Sequence, residues 1–172
     1  AETFLYHIVQ KLQKRNLPLE LALLPIIESG YQPYAYSPSR GAGIWQFIPA
    51  TAKEYGLSRN WWYDGRRDII GSTDAALHFL SDMHRHFRGN WFLAIASYNT
   101  GAGKVGRAIK KSNTYIGTAN FWDLDHPRET ELYGPRLIAL RDIVLNPSSY
   151  GIKLPSLKNK PLTSFARIQN PI

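Results

Sequence analysis

The chain contains no cysteine. This excludes a disulfide framework, a thiol nucleophile and a cysteine-ligated zinc site, but leaves the compartment open, because many proteins of oxidising compartments also lack cysteine. Long hydrophobic runs are missing too. Apolar stretches such as Leu21 to Ile27 and Trp91 to Ala96 fall far short of the roughly 20 residues that a membrane-spanning helix needs. There is no N-terminal basic region followed by an apolar stretch and a small-residue cleavage site, so a targeting signal or lipid anchor is expected to have been removed or never to have been present. Strand-like alternation is nearly absent, and there is no internal repeat or low-complexity segment. The basic residues, among them Arg40, Arg66, Arg67, Arg85, Lys110, Lys111, Arg136 and Arg141, are scattered. Without a dense basic block or recognition-helix pattern, nucleic acid is not the expected partner.

What is present is enough apolar material for one core. The 172 residues are 44% hydrophobic and 13% aromatic, which fits a single domain. The formal net charge of +8 favours contact with something acidic, whether nucleic acid, an anionic membrane or a carboxylate-bearing polymer.

Helical periodicity dominates the chain. Phe4, Leu5, Ile8, Val9 and Leu12 follow helical spacing, with Thr3 as the expected N-cap. After a break at Asn16, Pro18 suits the first turn of a second helix carrying Leu21, Leu24 and Ile27, which Pro25 should kink or disturb, leaving Glu28 at the helix end. Tyr31 to Ala42 reads as a loop long enough to carry function. Further helices are expected over Pro49 to Tyr55, closed by Gly56, and over Thr73 to Phe87 and Trp91 to Tyr98, the two forming a core pair. Two more are expected over Val105 to Lys111 and Leu132 to Leu145, the latter ended by Asn146-Pro147. The Pro-, Ser-, Lys- and Asn-rich remainder reads as an extended tail or linker.

Glu28 follows Leu23-Leu24-Pro25-Ile26-Ile27, so its carboxyl should emerge from apolar surroundings that favour the neutral acid. A general acid that protonates a glycosidic leaving oxygen needs that property. The plain structural alternative is a helix-end carboxylate paired with an arginine. Ordinary glycosidases use two carboxylates, yet no loop beside Glu28 offers a second acid, and Glu54, Asp64 and Asp68 read as surface or N-capping residues. Two other patterns invite chemistry. Gly101-Ala102-Gly103-Lys104-Val105-Gly106 imitates a dinucleotide fingerprint with Asp123 downstream, but lacks flanking βαβ alternation. His78, Asp82 and His86 form a helical stripe that reads as a solvated face opposite an apolar one rather than a metal site.

Four segments stand out: Ile27-Glu28-Ser29-Gly30-Tyr31, Gly43-Ile44-Trp45-Gln46-Phe47, Ser97-Tyr98-Asn99-Thr100-Gly101 and Arg128-Glu129-Thr130-Glu131-Leu132-Tyr133. In this order they resemble the family 1 lytic transglycosylases, over roughly residues 5 to 145. The resemblance implies an all-α, lysozyme-like fold of the kind shared by goose-type lysozymes and soluble lytic transglycosylase catalytic domains. It implies a catalytic domain over residues 1–147 and a tail over 148–172. It also implies cleavage of the β-1,4 bond between N-acetylmuramic acid and N-acetylglucosamine, with Glu28 acting as acid and then base. The substrate's own N-acetyl group replaces the second carboxylate, and the product is a 1,6-anhydro sugar.

By the same resemblance, Ser37 contacts the substrate's acetamido group, with turn-capping as its plain alternative. Gln46 hydrogen-bonds the sugar or Glu28, Tyr98 and Asn99 flank the carboxyl, and Glu129 and Tyr133 lie near the cleft. That last segment departs from the family, which usually has a basic residue where this chain has Glu131. Ser29 is expected to support the loop geometry, and Gly41 and Gly43 to supply backbone freedom before Ile44. Trp45, Tyr31, Tyr34 and Tyr36 are candidate stacking platforms whose alternative is the core. The implied partner is the peptidoglycan glycan strand, with no metal, no organic cofactor and no nucleic acid. The implied setting is a monomer in the Gram-negative periplasm, attached to the outer membrane through a lipidated N-terminus outside this chain. A goose-type lysozyme that hydrolyses the same bond, and a glycan-binding or secretion-assembly module without catalysis, are the competing readings.

Overall fold

A computed structural model describes residues 2–157 together with 160 and 161. Among the described residues seven α-helices follow one another: α1 (Glu2–Lys14), α2 (Leu24–Ser29), α3 (Pro49–Glu54), α4 (Ile69–His86), α5 (Trp91–Thr100), α6 (Ala102–Lys111) and α7 (Arg128–Leu145). Among the described residues there are no strands, only the isolated bridges Tyr36 to Ala42, Ala42 to Phe47 and Arg59 to Asp64. The expected all-α class is the observed one. No described helix is long and apolar enough to cross a membrane.

α1 buries Ile8 and Leu12. The helix begins at Glu2, one residue ahead of the expected N-cap Thr3. Lys11 and Arg15, at its end, grip Asp74 of α4 at 2.9 and 2.7 Å. The expected single kinked helix around Pro25 is two pieces, a 3-10 turn over Leu19–Leu23 and then α2. The reason is that proline has no N–H and its ring collides with the carbonyl four residues back. The chain therefore restarts so that Pro25 occupies a first-turn position, where no N–H is missed. Gly30, at φ +59°, stops α2 after one and a half turns and leaves Glu28 near the end, as expected.

α3 opens on Pro49, and the Gly56 N–H closes it onto Lys53. α4 begins at Ile69 rather than Thr73, because the Asp68 carboxylate accepts the Ile70 and Gly71 N–H groups. α5 is capped in the same way by Asn90. α4 and α5 pack together through residues such as Ala76, Phe79, Leu80 and Ile95. A second cluster joins Leu93 and Ala96 of α5 to Val105 and Ile109 of α6, with Phe87 and Phe121. α7 starts at Arg128, a turn earlier than expected, immediately after Pro127, and lies against both α5 and α2. The tail begins with a 3-10 turn, Pro147–Tyr150, that the Tyr150 hydroxyl ties to Asp142. Residues 158–159 and 162–172 of the expected tail lie outside the described residues.

Candidate active site

Glu28, Ser37, Gln46, Tyr98, Asn99, Glu129 and Tyr133, from four separate stretches of chain, all line one cleft of about 610 Å³. α2 delivers Glu28, the loops after it deliver Ser37 and Gln46, α5 delivers Tyr98 and Asn99, and α7 delivers Glu129 and Tyr133.

Glu28 is partly buried, beside Ile27, and its proton affinity is pushed up to about 7. The main cause is burial, which penalises the charged form; the nearby Glu129 carboxylate adds to it by like charge, and the Tyr133 hydroxyl opposes it. Tyr133 donates that hydroxyl to Glu28 Oε1. Among the described residues no lysine or arginine forms an ion pair with Glu28, so the helix-end ion pair is not what holds it. Burial and the Glu28 charge together keep the Tyr133 and Tyr98 phenols well above their ordinary range, so both stay neutral donors.

Tyr98 feels the Glu28 charge, but its hydroxyl donates to the Trp45 carbonyl at 2.6 Å. Its ring meets Trp45, Phe47 and Phe79 edge to face. It therefore locks the second segment to α5 and does not bond the carboxyl. Asn99 is held by Thr130, which donates to Oδ1 at 2.8 Å, leaving Nδ2 directed toward Glu129 Oε1 at 3.5 Å. Thr130 is a positioning residue that sequence reasoning passed over, although it stands inside the fourth segment.

The loop geometry rests on small contacts. Ser29 Oγ donates to the Ile44 carbonyl at 2.9 Å, the supporting role expected of it. Ser37 Oγ accepts the Gly41 N–H at 2.9 Å and lies 3.0 Å from Ser39 Oγ, so it caps its turn while facing the cleft. Gln46 makes no bond to Glu28; its own φ is +52° and its Nε2 donates to the Gly43 carbonyl at 2.8 Å. Gly43 is required for two reasons. Its φ is +79°, and a Cβ would fall 1.9 Å from the Arg66 carbonyl oxygen. Gly41 is required for space alone, since a Cβ there would sit 2.7 Å from the Gln46 carbonyl oxygen.

Two expectations need correcting. Trp45 and Tyr31 are core residues, 0% and 3% exposed. The Trp45 indole donates to Thr73 Oγ1 and the Tyr31 hydroxyl to the Ala22 carbonyl, so neither is a stacking platform; Tyr34 and Tyr36 are exposed. A second acid also stands near Glu28: Glu129, close enough to raise its proton affinity and brought there by a distant helix rather than by a loop. Glu54 lines the same cleft. Arg136 is the one basic residue among the described cleft-lining residues, and nothing in the four segments pointed to it. Of the glycine-rich stretch, Gly101 alone separates α5 from α6 and Ala102 to Gly106 lie within α6, with a helix rather than a strand before them. Asp82 is occupied by Tyr55 and Arg85, with His78 at 3.6 Å.

The model of the transglycosylase SLT domain family matches residues 6–121. Over all 172 residues the chain is 41% identical to membrane-bound lytic murein transglycosylase D of Escherichia coli (strain K12), of which it covers 38%. Over 109 residues, 63% of this chain and 53% of the other, it is 51% identical to a protein of Alteromonas sp. (strain M-1) named for tributyltin chloride resistance. The X-ray structure of an inactive mutant of the lytic transglycosylase Slt from Pseudomonas aeruginosa superposes with a TM-score of 0.56 and 19% identity, covering 85% of this chain and 24% of that one. That likeness shows the fold. The chain thus spans well under half the length of the Escherichia coli relative, and Glu129 and Tyr133 lie beyond the stretch that the family model matches.

Proposed function

Because the chain belongs to the transglycosylase SLT domain family, we propose that it is a peptidoglycan lytic transglycosylase whose residues 1–147 form the catalytic domain, with Glu28 as its acid and base. The observation that carries this reading is a protonatable carboxyl, raised to about 7, at the wall of a cleft shared by Ser37, Gln46, Tyr98, Asn99, Glu129 and Tyr133. Near neutral pH such a carboxyl still holds its proton in a large fraction of molecules, as a general acid must.

The steps follow from that state. Glu28 gives its proton to the oxygen leaving C1 of N-acetylmuramic acid, and the C1–O bond breaks. The carbonyl oxygen of the same sugar's N-acetyl group bonds to C1 and takes up the developing positive charge, with Ser37 of the cleft lining as the group that orients it. The Glu28 carboxylate, stabilised by the Tyr133 hydroxyl, then takes the proton of the C6 hydroxyl. O6 attacks C1, the acetamido oxygen leaves, and a 1,6-anhydro sugar remains. No water enters and Glu28 regains its proton. Asn99 and Gln46 fix the sugar, since orientation alone supplies much of the rate in such steps. No metal or organic cofactor takes part.

Glu129 favours a second reading, hydrolysis of the same bond in the manner of goose-type lysozymes, with Glu129 activating a water. Its exposed position and its neighbour Asn99 fit a solvated carboxylate better than a base held against the sugar. Mass spectrometry of the fragments released from purified peptidoglycan separates the two. Anhydro-muramyl ends from the parent, absent with Glu28→Gln, support the transglycosylase. Reducing ends make it a hydrolase, and no release from either leaves a glycan-binding module. The partner is then the glycan strand, whose acidic stem peptides suit the net charge of +8. The Escherichia coli relative is membrane-bound by name, which supports a membrane-associated setting; the periplasm and a lipidated N-terminus outside this chain are part of the proposal. The domain is read as a monomer.

A further inference from the structure

Trp61 and Trp62 are 89% and 90% exposed, adjacent in sequence, and outside the cleft lining. An indole ring carries a large apolar face, and leaving two of them in water is unfavourable unless something covers them. The turn that presents them is tightly built. Asn60 Oδ1 accepts the N–H groups of both Trp62 and Tyr63 at 2.8 Å, and the Asn60 N–H donates to the Tyr63 carbonyl at 2.8 Å. The Tyr63 hydroxyl donates to Asp68 at 2.9 Å, tying the tip to the start of α4. Asp64 receives Arg66 through two bonds, of 2.9 and 2.6 Å. Arg66, 2% exposed, extends Nη1 to the carbonyls of Arg40 and Phe47 at 2.7 and 3.1 Å.

Arg66 therefore bolts the tryptophan turn to the loop that carries Ser37, Ser39, Gln46 and Phe47, which is the cleft wall. On that same loop Tyr34 and Tyr36 are exposed, and the Arg67 guanidinium lies 5.9 Å from the Tyr34 ring centre. Arg59, largely exposed and two residues before Trp61, lies 3.9 Å from Asp64 of the same turn. Exposed aromatic and basic side chains thus stand on a turn that Arg66 and Arg67 tie to the loop forming one wall of the cleft.

We infer that the Trp61–Trp62 turn, with Tyr34 and Tyr36, is an accessory binding surface for the glycan strand where it leaves the cleft. This rests on the reading of the cleft as a peptidoglycan site. Sugar rings present apolar faces that stack on indole and phenol, and the carboxylates hanging from the strand meet Arg59, Arg40 and Arg67. A substrate polymer longer than the cleft has to pass over one of its walls. A pre-ordered turn binds it without an ordering penalty, which is where the hydrogen-bonded clasp contributes.

The test measures co-sedimentation with purified peptidoglycan sacculi in a Glu28→Gln background, where nothing is cleaved. Trp61→Ala/Trp62→Ala should weaken binding about tenfold, within the range expected for losing two stacked aromatics; Trp61→Phe/Trp62→Phe should restore most of it. With Glu28 present, the alanine pair should raise KM on sacculi and leave turnover of a short soluble glycan fragment, filling only the cleft, unchanged. Sacculus binding within twofold of the parent overturns the inference. So does a loss confined to vesicles containing anionic phosphatidylglycerol, which would assign the surface to a membrane. Failure of the cleft reading is scored separately, by the absence of anhydro products from the unmodified protein.

Discussion

The Tyr133 hydroxyl donates a hydrogen bond to Glu28 Oε1 across a sequence separation of 105 residues. That bond opposes the other influences on the carboxyl. Burial and the Glu129 charge hold the proton on, while the phenol stabilises the charged form. The acid is thus tuned between two opposed effects, so that both of its protonation states are reachable near neutral pH.

Tyr133→Phe removes the effect that favours the carboxylate, so the Glu28 proton affinity rises further. The loss of activity with increasing pH should therefore move to higher pH, while the maximal rate falls about tenfold because the second step loses its stabilised base. A pH–rate profile of kcat checks both. A profile that keeps its position would mean that the phenol does not act on Glu28.

Glu28→Gln should abolish product formation, by a factor of at least about 10², and should also alter stability. Glu28 is raised from 4.5 to about 7 on folding. Its contribution is fully present below about pH 4.5 and is lost as pH rises through 7, where the charge must be buried. The Gln variant carries no such charge and can still accept from Tyr133. It should match the parent at pH 4 and exceed it by about 2 kcal/mol at pH 8, a figure reduced for the partial exposure of the group. Urea unfolding at the two pH values measures the difference.

Gly43→Ala and Gly56→Ala share a backbone angle but not a neighbourhood. Both glycines have φ +79°, yet a Cβ at Gly43 meets the Arg66 carbonyl at 1.9 Å whereas one at Gly56 meets nothing within 4 Å. Gly56→Ala should cost about 1 kcal/mol, the left-handed penalty alone. Gly43→Ala should cost about 3 kcal/mol or more, because backbone must move. Thermal unfolding of the pair gives the comparison, and equal costs would place the strain elsewhere.

Arg66→Met leaves Asp64 without its bidentate partner and the Arg40 carbonyl without a donor, while the Phe47 carbonyl keeps only the Ala42 N–H. A loss of about 3 kcal/mol is expected, the magnitude for breaking one side of a buried pair. Asp64, now held below its usual range chiefly by its hydrogen bonds to Arg66, should titrate at higher pH in the variant. Chemical denaturation and carboxylate NMR titration report the two effects independently.

The helices were legible because their apolar spacing is local. Where boundaries moved, capping and proline geometry overrode the apolar spacing, as with the Asp68 carboxylate that starts α4 early and Pro25, which divides the second helix rather than kinking it. Six of the seven candidate residues stand in the four short segments and Ser37 follows Glu28 by nine positions, and all seven line the cleft. Their bonding was not legible. Gln46 turns back to Gly43 because of its own positive φ, and Tyr98 is drawn to the Trp45 carbonyl. The burial of Trp45 and the approach of Glu129 depend on how distant helices pack, which no run of adjacent residues encodes.

The pairing of Glu28 with Tyr133 has a consequence for when the chain acquires its chemistry during synthesis. One partner stands on α2 and the other on α7, 105 residues further along the chain. A nascent or truncated chain ending before residue 133 lacks the phenol that tunes its acid, together with the helix that encloses it. On the proposed reading, competence therefore arrives only once α7 has docked against α2.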